Sequence, residues 1–218
     1  KNLGNAKRNP VDHQSGDLTV ADVLSSPLVA SPLRKLDIAP DTDGAVAMIL
    51  ASERRAREIT KNPVWIRGIG TCYDAHYLGD RDLAGVFALE RAAAQAYRMA
   101  GIKNPRRQID VAEVGDDFSY QELLWMEGLG LCDRGEAARM LEAGATEIGG
   151  KLPVNPSGGL LGGVPINVYG LNRVAEAALQ VMGKAGEHQV KKDVRIAVAQ
   201  GHSGFCGQHQ CVVVLGKE

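Results

Sequence analysis

The sequence has no excess of charge of either sign, since 25 Lys and Arg residues face 26 Asp and Glu residues and the formal net charge is -1. A nearly neutral chain offers no electrostatic reason to bind nucleic acid or an anionic membrane. The sequence also lacks an apolar run of about 18 residues and a cationic-then-apolar opening segment, which argues against a membrane span and a secretory signal. We therefore expect a cytoplasmic protein with neither nucleic acid nor membrane as a partner.

Cysteines and aromatic residues are also few. The four cysteines, Cys72, Cys132, Cys206 and Cys211, form no C-x-x-C pair, so we expect reduced thiols rather than a disulfide framework. Only 5% of the residues are aromatic, which favours core or interface positions for the two tryptophans over a stacking platform. The 218 residues are 44% hydrophobic and 23% charged, as in an ordinary globular protein with a sizeable core.

The first 40 residues differ from the rest of the chain in composition and in their pattern of apolar residues. Residues 1–16 are polar and rich in turn formers, and residues 25–36 contain two prolines, which exclude a long helix. A disordered leader and an extended arm that packs on another surface both remain open, although the leucines of this region favour the arm. We predict an arm over residues 1–40 and a single domain over residues 41–218.

From residue 41 onward, strand and helix patterns alternate. Such alternation is typical of an α/β layered domain, and the last two strands can pair antiparallel at one edge. The predicted strands are residues 45–50, 64–71, 109–114, 194–199 and 210–215. The predicted helices are a charged one capped by Ser52, residues 83–101, 119–129 and 134–143, and a buried helix that begins near residues 168–170.

A glycine-rich loop precedes the last predicted helix. Gly158, Gly159, Gly162 and Gly163 fall within six residues, which indicates a backbone that another group approaches closely. The free N–H groups at the start of the apolar helix point back toward this loop. Loop and helix together predict a site for an anion or a developing oxyanion, whereas an ordinary helix entry with flexible glycines is the alternative.

Two further segments place reactive side chains at strand or helix ends. In residues 115–120, GDDFSY, Asp117 or Tyr120 can face the glycine loop as proton donor or acceptor, while a helix cap in a turn is the plainer interpretation. Tyr169 lies at the mouth of the buried helix, where its hydroxyl needs a partner.

The connection between the last two strands, residues 200–211, reads QGHSGFCGQHQC. His202, Cys206, His209 and Cys211 carry atoms that bind zinc, but their separations are not a usual zinc pattern, so we expect no metal. A thiol or imidazole at an active-site turn and a plain hairpin both remain open for this segment.

These motifs, taken in order, resemble the C-terminal half of a thiolase. The resemblance is to the branch of sterol-carrier-protein-type thiolases and of thiolase-like subunits that work with an OB-fold, zinc-ribbon partner. It rests on TDGA at 42–45, FSYQELLWMEGLGLC at 118–132, GGKLPVNPSGGLLGG at 149–163, and the later YGLNRVAEAALQ and VRIAVAQGHSG. It implies a thiolase-like α/β/α half with a five-stranded mixed sheet, preceded by an extended arm that is the tail of the other half.

The resemblance also implies a function. We expect an acyl-CoA acyltransferase that makes or breaks a C–C bond beside a coenzyme A thioester by Claisen or retro-Claisen chemistry. Its implied partners are an N-terminal thiolase half and an OB-fold zinc-ribbon subunit, in a dimeric or heterotetrameric assembly. Coenzyme A would be held by Ser157, Gly158, Gly159, Gly162 and Gly163. The catalytic candidates are Tyr169, Asp117, Tyr120, His202 and Cys206.

The sequence departs from thiolases at functional positions. Val164 stands where the family has the histidine of its G-H-P motif, and the family's H-D-C-F motif reads GDDF at residues 115–118. The acylated cysteine of the family lies in the N-terminal half. Two alternatives therefore stay open: a retro-aldol lyase acting on β-hydroxyacyl-CoA, and a non-catalytic structural subunit of a thiolase complex. The lyase would need a tyrosine of lowered pKa, which we expect the helix N-terminus to supply at Tyr169.

Overall fold

This computed structural model describes residues 1–12 and 16–217, which form eight α-helices and eight strands. The helices are α1 (Asn2–Ala6), α2 (Val20–Ser25), α3 (Glu53–Ile59), α4 (Phe87–Ala100), α5 (Pro105–Gln108), α6 (Gln121–Gly128), α7 (Ala137–Glu142) and α8 (Tyr169–Met182). The strands are β1 (Leu28–Ala30), β2 (Leu33–Arg34), β3 (Asp41–Thr42), β4 (Trp65–Tyr73), β5 (Val111–Glu113), β6 (Val164–Pro165), β7 (Ile196–Ser203) and β8 (His209–Gly216).

Four strands form the main sheet, in the order β4-β8-β7-β5. β8 pairs antiparallel with both β4 and β7, whereas β5 runs parallel to β7. Side chains alternate between the faces of a strand, so Val198 and Val214 join one buried cluster while Ala197 and Ala199 join another. Helices cover both faces, and the predicted α/β architecture with a mixed sheet is confirmed.

The helix α4 lies very close to the edge strand β4. Gly68 and Gly70 make this approach possible, because a Cβ atom at either position would collide with the carbonyl oxygen of Ala96 or Ala92 on α4. The same face of the sheet carries α6, and α8 packs on the opposite face through residues such as Ala177 and Val181. The start of α8 is thereby brought to the ends of β5 and β7.

One predicted strand is wrong. Residues 45–50 form no strand in the described structure, and Ile49 and Leu50 are 95% and 74% exposed. An apolar run shows that a segment needs cover, but it does not show that the same chain provides the cover. The main sheet therefore has four strands instead of the predicted five, and a single bridge from Val154 to Ala112 extends it beyond β5.

The other predicted elements are present with shifted ends. The strand predictions at 64–71, 109–114, 194–199 and 210–215 correspond to β4, β5, β7 and β8. The helix predictions correspond to α3, α4, α6, α7 and α8, and Gly101 ends α4 in the left-handed conformation that favours glycine. Ser52 precedes α3 as predicted, but its side chain makes no capping hydrogen bond.

Residues 1–12 pack against the glycine-rich loop. The amides of Asn5 and Asn9 are buried and donate hydrogen bonds of 3.0 Å to the backbone carbonyls of Asn155 and Ser157. Buried carbonyl groups need such partners because water does not reach them. The boundary at residue 40 between an arm and a domain stays a prediction.

A buried network of charged groups joins these parts. Arg173 on α8 forms an ion pair of 2.7 Å with Glu113 at the end of β5, and both side chains are at most 2% exposed. Nearby, Asp116 accepts hydrogen bonds of 2.6 Å from the Asn2 amide and from the Leu160 N–H group. The network therefore fixes α8, β5 and the glycine-rich loop relative to one another.

Carboxylates outnumber cations in this network, and burial disfavours their charged form. Burial raises the pKa of Asp12 to about 7, with Arg173 opposing the shift. Burial also raises the pKa of Asp116 to about 8, and the neighbouring Glu122 adds to that shift. Both carboxyl groups therefore hold their protons at a pH where an exposed aspartate is charged.

The raised pKa values predict a dependence of stability on pH. A carboxyl with a higher pKa in the folded state binds more protons when folded, so stability falls as pH rises from the unfolded toward the folded pKa. We expect the free energy of unfolding to fall by more than about 1 kcal/mol between about pH 5 and pH 9. The Asp116→Asn variant should show a shallower fall in urea unfolding measured across this range.

Asp133→Asn is the matched control for this measurement. Asp133 is exposed and its pKa is lowered by hydrogen bonding to Arg106, so its contribution to stability is constant above about pH 4 and is lost only at lower pH. A wild-type profile that is flat or rises from pH 5 to pH 9 would contradict the prediction.

Candidate functional site

A cleft of about 660 Å³ opens where the end of β7 meets the start of α8. Its walls come from the loop after β5, the first turn of α8 and the connection between β7 and β8. Ligands of open α/β sheets bind in such crevices outside the strand ends. Four residues predicted from the sequence line this cleft: Asp117, Tyr169, His202 and Cys206.

Asp117 and His202 form a hydrogen-bonded pair in the cleft. Oδ2 of Asp117 lies 2.8 Å from Nε2 of His202, whose side chain is only 5% exposed. The other carboxylate oxygen of Asp117, Oδ1, is buried and has no hydrogen-bond partner within residues 1–12 and 16–217. A carboxylate that is oriented through one oxygen and unpartnered at the other is suited to accept a proton.

Tyr169 is the first residue of α8 and lies against His202. Its hydroxyl donates a hydrogen bond to the carbonyl oxygen of His202, and the two rings meet edge-on with centroids 5.7 Å apart. Burial raises the pKa of Tyr169 above the ordinary value of 10.0, and the Asp117 carboxylate adds to that shift. The expected lowering of this pKa is therefore wrong, because desolvation and a neighbouring negative charge both disfavour a phenolate. Tyr169 is protonated at neutral pH and can serve as a hydrogen-bond donor.

Tyr120 and Cys206 are more exposed to solvent than Asp117 and His202. Tyr120 is 48% exposed and stacks on Phe118, which lines the cleft, with ring centroids 6.0 Å apart. Burial raises the pKa of Tyr120 as well, followed by the effects of Cys206 and Asp117. Cys206 is an exposed thiol at the cleft, on a turn whose carbonyl groups accept hydrogen bonds from Arg81.

Gly115 makes room for the two rings. A Cβ atom there would lie 3.2 Å from the His202 ring and 3.4 Å from the Tyr169 ring. Trp125 donates a hydrogen bond of 2.6 Å to the Gly115 carbonyl and packs with its ring centroid 5.2 Å from that of His202. The imidazole of His202 therefore fills the space beside residue 115, where the thiolase resemblance leads one to expect a histidine.

The glycine-rich loop is placed differently from the catalytic candidates. The close approach predicted from its glycines is made by protein groups, since Cβ atoms at Gly159 and Gly162 would meet the carboxyl groups of Asp116 and Asp12. The cleft is lined by none of the five residues predicted to hold coenzyme A. Backbone N–H groups of Ser157, Gly158, Gly159 and Gly163 donate to acceptors within the protein.

Sequence reasoning missed the polar groups behind the cleft. Gln200 and Gln210 are almost fully buried on neighbouring strands and bond to each other. Their signal in the sequence was a glutamine at inward positions of two otherwise apolar strands.

Across residues 1–12 and 16–217, no three His, Cys, Asp or Glu side chains are grouped so that they could hold a metal ion. No helix in this part of the chain is long and apolar enough to cross a membrane.

Known proteins resemble this chain over most of its length. It is 41% identical over 192 residues to the acetyl-CoA acetyltransferase of Methanothermobacter thermautotrophicus, covering 87% of this chain and 50% of that protein. It is 32% identical over 208 residues to the benzoylsuccinyl-CoA thiolase subunit BbsB of Thauera aromatica, covering 94% and 54%. The chain thus spans about half the length of the curated relatives it matches.

A solved structure agrees with these sequence matches. The Ltp2-ChsH2(DUF35) aldolase superimposes with a TM-score of 0.86 at 29% sequence identity, covering 99% of this chain and 56% of that chain. The profile of the family described as Thiolase C-terminal domain-like matches residues 70–217. The fold, the 41% identity to one relative and this profile together show that the chain belongs to the thiolase C-terminal domain-like family.

Proposed function

We propose that this chain supplies the acid and base groups of an enzyme that breaks or makes a C–C bond beside a coenzyme A thioester. The observation that carries the proposal is the Asp117–His202 pair next to a protonated Tyr169 in one cleft. Such chemistry needs a base to remove a proton and a donor to stabilise the oxyanion of an enolate. Family membership and the names of the relatives support an acyl-CoA substrate.

In the Claisen direction, Asp117 takes a proton from the carbon next to the thioester carbonyl. The resulting enolate attacks an acyl group held as a thioester on a cysteine of the companion half, and the cysteine thiolate leaves. Tyr169 turns its hydroxyl from the His202 carbonyl to the enolate oxygen. The N–H groups in the first turn of α8 add to this stabilisation, because no side chain caps them and Gly170 and Leu171 line the cleft.

Retro-aldol cleavage of a β-hydroxyacyl-CoA is the second candidate. Here Asp117 takes the hydroxyl proton, the bond between the α and β carbons breaks, and a carbonyl product and an enolate thioester form. The enolate then takes a proton at its α carbon from the protonated Asp117, which restores the carboxylate. Val164 favours this candidate, because a buried valine in β6 replaces the histidine that activates a thiolase cysteine. Similarity to a solved aldolase structure also supports it.

The glycine-rich loop keeps a proposed role near the thioester. The Leu160 N–H group bonds to Asp116, the residue before Asp117, so the loop sets the position of the proposed base. We propose that Ser157, Gly158, Gly159, Gly162 and Gly163 act on the thioester end of coenzyme A indirectly, by holding the segment of Asp116 and Asp117, since all five are buried and none lines the cleft.

We further propose a heteromeric assembly in the cytoplasm. It would join an N-terminal thiolase half and an OB-fold zinc-ribbon subunit, as a dimer or heterotetramer. The name of one relative as a thiolase subunit and the two-protein name of the similar solved structure support such partners. The uncovered Ile49 and Leu50 also favour a companion that packs on residues 45–50.

Substitutions in the cleft test the proposed roles. With the assembled protein, we expect Asp117→Asn and Tyr169→Phe each to lower the rate of C–C cleavage by about 10²- to 10⁴-fold, because each removes one proton-transfer or oxyanion group. The rate is measured by chromatography of acyl-CoA products from a β-ketoacyl-CoA with free coenzyme A, and separately from a β-hydroxyacyl-CoA.

Tyr77→Phe is the control, because Tyr77 is 70% exposed and does not line the cleft. It should retain the wild-type rate. Product from neither substrate with the wild-type assembly, or a full rate with Asp117→Asn, would contradict the proposal.

Thiol alkylation separates the two candidate reactions. The experiment starts from the double variant Cys206→Ser and Cys211→Ser, which removes both thiols that line the cleft and whose alkylation would block access. For Claisen chemistry, iodoacetamide should abolish the activity of this variant, and cleavage should require free coenzyme A. A retro-aldol reaction should proceed without coenzyme A and lose less than about twofold on alkylation, so coenzyme-A-independent cleavage that iodoacetamide abolishes would fit neither candidate.

A further inference from the structure

Two buried glutamines link the backbone of Gly115, in the loop after β5, to the backbone of Gly207, in the turn between β7 and β8. The Gly115 N–H group donates to Oε1 of Gln200 at 2.9 Å, and Nε2 of Gln200 donates to Oε1 of Gln210 at 2.8 Å. Nε2 of Gln210 then donates to the carbonyl oxygen of Gly207 at 3.0 Å. Both side chains are at most 2% exposed, so this chain of hydrogen bonds is shielded from solvent.

The two ends of the chain fix the orientation of both amides. A backbone N–H group can only donate and a backbone carbonyl can only accept. Gly115 therefore requires the oxygen of Gln200 on its side, and Gly207 requires the nitrogen of Gln210 on its side. Turning either amide over would place two donors or two acceptors against each other in a dry interior, which costs the energy of unmade hydrogen bonds.

This orientation affects which nitrogen of His202 is the better place for a proton. Nε2 of Gln200 lies 3.5 Å from Nδ1 of His202. Its second N–H group, which is not used by Gln210, is available to that ring nitrogen. A donor at this position favours an unprotonated Nδ1 and opposes an imidazolium, which would place two donors face to face. The proton of a neutral His202 is then on Nε2, where it points to Asp117 Oδ2 at 2.8 Å.

We propose that Gln200 and Gln210 are positioning residues that keep His202 neutral and protonated on Nε2, so that Asp117 and not the imidazole receives the substrate proton. His202 then orients Asp117 by donating to Oδ2, which leaves Oδ1 without a donor. Because Oδ1 is buried, the carboxylate turns it toward the cleft when it acts as base. The role assigned to Asp117 rests on the function proposed above, whereas the protonation state of His202 can be read without any activity. The titratable groups that contact the ring are Asp117 on the loop after β5 and Tyr169 on α8, and Cys206, His209 and Cys211 line the same cleft.

Nitrogen NMR of the imidazole tests the proposal directly. The chain is labelled with ¹⁵N-histidine, kept in the assembly in which it purifies, and the His202 signals are assigned by their loss in His202→Gln. At pH 7 we expect Nδ1 to show the shift of an unprotonated ring nitrogen and Nε2 that of a protonated one. A proton on Nδ1, with or without one on Nε2, would overturn the proposal.

Gln200→Glu should reverse the preference. A carboxylate facing Nδ1 accepts a proton from it, so the proton affinity of His202 in an NMR titration should rise at least about tenfold. Gln180→Glu is the control, since Gln180 is equally buried on α8 but bonds to the His188 carbonyl and Val190 N–H group. It should leave the His202 titration unchanged.

An unchanged His202 titration in Gln200→Glu would overturn the proposal. If that variant does not fold, the wild-type spectrum alone decides the protonation state. A protein with the expected spectrum but no cleavage of either acyl-CoA class would retain this inference and lose the proposed function. The opposite result, cleavage by a protein with Nδ1 protonated, would retain the function and overturn the inference.

Discussion

The ion pair between Arg173 and Glu113 is the interaction on which the cleft depends. Arg173 follows Tyr169 by four residues on α8, so the two side chains project from the same side of the helix. Glu113 precedes Asp117 by four residues, at the end of β5. The pair therefore fixes the two elements that carry the proposed donor and base, and Ser157 bonds to both members, at 2.7 Å to Glu113 and 2.8 Å to Arg173.

The burial of this pair makes its removal costly from either side. Deleting one partner leaves an uncompensated charge in a dry interior, and such changes cost about 3–5 kcal/mol. Burial also raises the pKa of the surrounding carboxyl groups, to about 7 for Asp12 and about 8 for Asp116, which limits the negative charge that this interior carries near neutral pH. A buried region with more carboxyl groups than cations thus remains folded because only some of the carboxyl groups are charged. The hydrogen bond from the Leu160 N–H group to Asp116 depends on the protonation state of that carboxyl group.

Periodicity predicted the elements of this domain well because most of them bury their own apolar face within the chain. β7 and β8 alternate between two helical layers, and Gly101 and Gly183 end their helices in the left-handed conformation. The failure at residues 45–50 has a physical cause. Their apolar pattern is that of a covered strand, but the described chain covers Val46 and Met48 only in part and leaves Ile49 and Leu50 exposed. A pattern in one sequence cannot show which molecule buries it.

The candidate site was predictable as a set of residues but not as an arrangement. Strand ends and helix starts pointed to Asp117, Tyr169 and His202, because such positions converge in α/β folds. The direction of the Tyr169 pKa shift could not be predicted, since it depends on burial and on how close Asp117 comes in space. The glycine-rich loop was ambiguous for a similar reason, because glycines show that something approaches without showing what it is.

The two histidines that the thiolase motifs would place at residues 115 and 164 are absent, and their absence has different structural consequences at the two positions. At one of the two missing histidines a buried apolar side chain, Val164, fills the place, which by itself would fit a non-catalytic subunit. At residue 115 the missing side chain instead leaves room for His202, which reaches the same space from β7 and bonds to Asp117. Chemistry depends on where an imidazole and a carboxylate lie, and different strands can deliver them to one place. The Asp117–His202 pair therefore argues for a site that was rebuilt rather than lost, and against a purely structural subunit.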